Sequence, residues 1–92
     1  MTTWREMYSD PDNVNPSHTY KWAATRAKDG WHCETPELAA LDGDWRLVWR
    51  SGRPMVVCYD SDGFVTDTME PSTAEIISER WRLWTDGGRL LR

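Results

Sequence analysis

Nothing in this chain approaches the ~20 consecutive apolar residues that a membrane-spanning helix needs. No apolar leader opens it either, because residues 1–10 are polar and aromatic. These two absences predict a cytoplasmic protein with no membrane span and with reduced thiols. Positive charge is also short: the formal net charge is −4. Phosphate backbones are bound by displacing counterions, which takes a basic footprint, so the charge predicts no nucleic-acid partner. The acids do not run together, and arginines interrupt them, so the chain is not an imitation of DNA. Lysine is nearly missing, with Lys21 and Lys28 the only two among 11 basic residues. Arginine over lysine, with abundant tryptophan and aspartate, is what a GC-rich coding sequence produces.

Cysteine is limited to Cys33 and Cys58. Zinc sites use closely spaced ligand pairs such as Cys-x2-Cys, and His32-Cys33 are neighbours whose side chains diverge on a strand. Neither a metal nor a cofactor is expected. Spacing cannot decide whether Cys33 and Cys58 pair in a disulfide. The chain has no Gly-x-Ser-x-Gly elbow. Asp60-Ser61-Asp62-Gly63 opens like a calcium loop, but the glycine spacing is wrong and no glutamate closes it. Gly87-Gly88-Arg89 lacks the strand-to-helix context of a phosphate loop. With no catalytic constellation in view, the expectation is a protein that is not an enzyme.

What is present is tryptophan, seven in 92 residues. A single domain of this size buries only roughly 60–65% of its unfolded surface, so its core is thin. Each buried indole compensates, removing roughly 150–250 Å² from water for roughly 4–6 kcal/mol gross.

Along the chain, residues 1–16 carry Asp10-Pro11 and Asn15-Pro16, turn chemistry that predicts an extended N-terminal arm. Residues 17–43 predict short helices. Ser17 is a candidate N-cap and Gly30 a stop, with Tyr20, Ala23, Ala24 and Ala27 sharing one face. Thr35-Pro36-Glu37 opens a second helix anchored by Leu38 and Leu41. Residues 44–68 predict a three-stranded antiparallel β-meander with turns at Ser51-Gly52-Arg53 and Asp60–Gly63. Its first strand puts Trp45, Leu47 and Trp49 on the core face and Arg46 and Arg50 on the other. Residues 72–86 predict a C-terminal helix: Ser72 and Glu75 form a capping box, and Ala74, Ile77, Trp81 and Trp84 make one stripe. That helix would pack on the meander, giving an α+β fold. A competing reading makes residues 80–85 and 89–92 a hairpin around Asp86-Gly87-Gly88.

Tryptophan and arginine are the residue types enriched in binding hot spots, and one thin sheet cannot cover seven indoles. Trp4, Trp22 and Trp31 are therefore the expected partly exposed rings, and Arg46, Arg50 and Arg82 the expected guanidinium contacts of a partner. In length, arginine- and tryptophan-rich composition, Met-Thr-Thr start and motif-free acidic character, the chain resembles the small accessory proteins of actinobacteriophages. That resemblance implies a protein that binds and disables a host protein in the bacterial cytoplasm and is toxic when overproduced. It carries over no functional residue. Two alternatives stand beside it. One is a small ligand-binding or hydrolase domain with a site near His32 and Cys33. The other is a self-associating protein, for instance a homodimer.

Overall fold

The computed structural model describes residues 17–86 and 89–90. The arm of residues 1–16, and Trp4 within it, lies outside them. The fold is α+β: a five-stranded antiparallel sheet with three short helices among the described residues.

Helix α1 spans Tyr20–Lys28. Thr19, not Ser17, is its N-cap and accepts from the Trp22 amide at 3.3 Å. The helix starts later than expected because His18 is spent on a two-way backbone bridge with Trp81, at 3.1 and 2.9 Å. Its end is a Schellman turn: Gly30, at φ 95°, donates to Ala27 O, and Trp31 N reaches Arg26 O. The left-handed conformation suits glycine, and the turn drives Trp31 into the core. Ala23 and Ala27 form the buried face of α1, and their small side chains let the backbone lie close to the sheet.

Strand β1, Cys33–Glu34, lies between the two helices expected over 17–43. Helix α2, Pro36–Ala39, follows, with Thr35 accepting from Leu38 N at 3.1 Å and Pro36 in the first turn. Leu38 is buried, whereas Leu41, expected to be a second anchor, is exposed.

Strands β2 (Asp44–Arg50) and β3 (Arg53–Tyr59) pair along their full lengths, from Asp44↔Tyr59 to Arg50↔Arg53. Ser51 and Gly52 join them, with φ of 57° and 79°. Two consecutive positive φ values are what a two-residue type I′ hairpin turn requires. Strand β4, Val65–Met69, pairs with β3 on its other side. In the turn between them, Asp60 Oδ1 accepts from the amides of Asp62 and Phe64, both at 2.9 Å. A bulge follows: Cys58 faces Asp67 but Tyr59 faces Val65, so Thr66 is the extra residue. Its hydroxyl bonds Cys58 O at 3.3 Å.

The C-terminal region corrects the expectation of a helix over 72–86. The capping box of Ser72 and Glu75 is present, but α3 covers only Thr73–Ile77. Ser78 is extended, and β5 is Arg82–Leu83. β6 (Thr85–Asp86) and β7 (Arg89–Leu90) pair antiparallel, a hairpin near the one of the competing reading, but Arg82–Leu83 pairs with β1 rather than with residues 89–92. The expected stripe also separates: Trp81 and Trp84 are buried while Ile77 is 72% exposed. The reason lies in residues 81–83, which alternate with period two. Trp81 and Leu83 enter the core, and Arg82 turns to Glu34 on the other face. Trp81 Nε1 donates to Glu75 O at 2.9 Å, satisfying both the buried indole and a carbonyl at the helix end.

The sheet order is β4-β3-β2-β1-β5, so β2, β3 and β4 are three neighbours within a wider sheet. One face carries the main core: Trp31, Cys33, Leu38, Leu47, Val56, Trp81 and Leu83, roofed by Ala23 of α1. Burying Trp81 there contributes roughly 4–6 kcal/mol gross. The expectation for β2 needs correction at its ends: Leu47 is fully buried, Trp45 half-buried and Trp49 exposed. The second face is not a plain solvent face. Val48, Met55 and Val57 are buried on it, with Tyr59 against them.

Candidate functional site

The second face holds the polar chemistry of the fold. Register places it: residues alternating with Leu47 and Val56 on β2 and β3 point away from the main core, and so do Glu34 and Arg82, which pair across β1 and β5. Arg46 lies at its centre, only 8% exposed. Its guanidinium carbon is 3.6 Å from the Trp84 ring centre and 4.3 Å from that of Tyr59, so the cation lies over both rings. Its fork binds Asp44 through both carboxylate oxygens, Nε reaching Oδ1 at 3.0 Å. Nη1 lies 2.9 Å from His32 Nδ1. A guanidinium only donates, so His32 Nδ1 must accept, and His32 is neutral with its proton on Nε2. Electrostatics agree: burial first, and the Arg46 charge second, lower the His32 pKa to about 4, against the weaker pull of Asp44.

Beside this group, Arg82 Nε donates to Glu34 Oε2 at 2.9 Å. Glu34 is buried, and its pKa is raised by that burial while Arg82 opposes the shift. Two clefts flank Tyr59. One, of about 290 Å³, runs past His32, Val48 and Trp49. The other, of about 630 Å³, is open and bordered by Asp44, Arg46 and the turn Asp60–Gly63.

The residues expected to meet a partner do not form one patch. Trp22 is half-buried on α1, stacked on His18 at 3.9 Å with Arg26 5.9 Å from its ring. Trp31 is buried, which corrects the expectation of exposure, because the turn after α1 aims it inward. Arg46 and Arg82 face internal partners, and Arg50 is exposed. Trp4 lies outside the described residues.

His32 and Cys33 do not converge. Cys33 faces the main core, donates to Ala23 O at 3.7 Å, and burial drives its pKa upward. His32 faces the opposite side of the sheet. A nucleophile and its base must meet in space, so this pair cannot serve as one. Both cysteines are free thiols. Among the described residues no group of three or more histidines, cysteines or carboxylates is arranged to hold a metal. No described helix is long and apolar enough to cross a membrane.

Sequence reasoning placed the outer strand but did not single it out as a candidate binding edge. Every residue of β4 is exposed, and Phe64 before it is 70% exposed. Val65 and Met69 are uncovered too, as are Ile76 and Ile77 on α3. A signal was present: Val65-Thr66-Asp67-Thr68-Met69 puts a charge in the middle of its only apolar series, which suits an edge better than a packed strand. Compared with protein families, curated proteins and solved structures, the chain matches none of them.

Proposed function

We propose that this protein is a non-enzymatic interaction module that acts by docking onto another protein. In the setting that its resemblance to phage accessory proteins implies, the target is a host protein whose activity it modulates or inhibits. One observation carries the reading: the outermost strand of the sheet is exposed along its whole length, and Phe64, Val65 and Met69 are left uncovered on it. Scattered apolar residues are ordinary on a surface. Three within six residues on an open sheet edge are a binding feature that a protein standing alone has reason to avoid. The groups with reactive chemistry support the same reading. Cys33 is sealed in the core, and His32 and Arg46 are occupied by each other.

The test is expression of the tagged protein in a GC-rich Gram-positive host. Slowed growth and one co-purifying protein in stoichiometric amount are expected, and both should be lost in Phe64→Ser with an unchanged circular dichroism spectrum. Normal growth with no stoichiometric partner, or equal capture by the variant, refutes the reading.

A further inference from the structure

We infer that the β4 edge takes up an extended segment of its partner bearing lysine or arginine, which adds as a sixth strand opposite Asp67. This rests on the docking function proposed above and names the partner's chemistry. β4 ends the sheet, and no other described strand pairs with its outer side. Such an edge presents a row of backbone donors and acceptors that an added strand satisfies. Two of the usual guards are missing here: residues 64–70 contain no lysine and no proline. The bulge at Thr66 twists only one end.

Charge selects among the possible occupants. Asp60 and Asp62 lie in the turn before β4, Asp67 in its middle and Glu70 just after it. Arg53 pairs with Glu70 at 2.6 Å. Asp67 accepts from the Thr68 amide at 2.8 Å and has no ion pair among the described residues. A second copy fits badly: matching Val65 to Met69 across an antiparallel pair sets Asp67 against Asp67, and like charges directly opposite repel. The chain's own residues 1–16 bring Glu6, Asp10 and Asp12 against Arg5, so they too are acidic. A basic segment of another protein is the complementary occupant. The bulge helps it dock, because it turns Val65 toward the Tyr59 face while Met69 stays on the Val56 face. Apolar residues of the guest, on both sides of its basic residue, then find contacts.

The test is selection of random short displayed peptides on the intact protein, with amide hydrogen exchange to locate them. Enrichment of lysine or arginine between β-branched or aromatic residues is expected, with exchange slowed at residues 65–69. Asp67→Lys should weaken the selected peptides by at least about tenfold, given the cost of like charges at an interface, and a new selection on that variant should favour acidic peptides. No enriched peptide, slowed exchange elsewhere, or a selected charge that Asp67→Lys leaves unchanged overturns the inference. A stoichiometric host partner lost in Phe64→Ser would still stand in that case, so the two readings fail separately.

Discussion

Replacing Arg46 with methionine keeps the aliphatic stem and removes the charge, so it isolates what the guanidinium does. Two ring contacts are lost, with Trp84 at 3.6 Å and Tyr59 at 4.3 Å. Each cation–π contact is worth roughly 0.5–2 kcal/mol, the upper part applying to desolvated sites like this one. The Asp44 side chain is 32% exposed, so water screens its share of the ion pair, and about 1 kcal/mol is a fair allowance. The sum is about 3 kcal/mol. For a domain of this size 1 kcal/mol moves Tm by roughly 4–8 °C, so Arg46→Met should melt about 12–24 °C lower. Arg46→Lys should fall between wild type and Arg46→Met, because a compact ammonium keeps the charge near the rings but loses the planar fork that holds both oxygens of Asp44. Urea unfolding followed by far-ultraviolet circular dichroism measures both variants without relying on Trp84 fluorescence. A second readout is the His32 titration by NMR. Losing the cation should raise its pKa from about 4, yet not to the ordinary 6.5, because burial is the larger cause. A loss below about 1 kcal/mol, no larger than an ordinary substitution, would refute the Arg46 cluster as a structural element. An unmoved His32 titration would do the same.

Three other outcomes follow from the same geometry. The His32 pKa is depressed in the fold, so its contribution is present above pH 6.5 and lost as pH falls toward about 4; Glu34, raised by burial, works in the opposite sense. The urea midpoint should therefore lose part of its fall with acid in His32→Gln, and equal pH profiles for the two proteins would exclude His32 as a source. Ser51→Asn should stabilise by roughly 0.3–1 kcal/mol, because asparagine tolerates positive φ better than serine in a type I′ turn; a lower thermal midpoint would count against that turn. Finally, iodoacetamide should label Cys58 before Cys33 in the native protein, since the Cys33 thiol is buried and its ionisation opposed; mass spectrometry of the early product reads the order, and prior labelling of Cys33 would contradict the core.

Sequence periodicity and turn chemistry located what depends on neighbours close along the chain. Thr35-Pro36 marks a helix start, Ser72 and Glu75 a capping box, and Ser51-Gly52 a hairpin, because each is a bond or a φ value set within four residues. Segments whose state is decided from afar were left unassigned or misread. Cys33-Glu34 is too short to show a period and becomes a strand only because Leu47 and Leu83 flank Cys33. Trp81 to Trp84 fits a helical stripe and a strand alternation equally well, and the partners across the sheet choose the strand. The polar cluster was hidden for a related reason. Arg46 alternates with core residues and so reads as solvent-facing. What buries it is Trp84, Tyr59 and His32, brought in from three other places in the chain.

The position of β1 between β2 and β5 has a consequence for synthesis. A nascent chain that has emerged only as far as Arg80 can close the β2–β3–β4 ladder, but it has no strand to cover the far side of Cys33 and no Trp81 to pack beside Tyr20. The strand that closes this side of the hydrophobic interior follows the other four strands of its sheet along the chain, so a chain stopped after Arg80 should bind a hydrophobic dye that the full chain refuses.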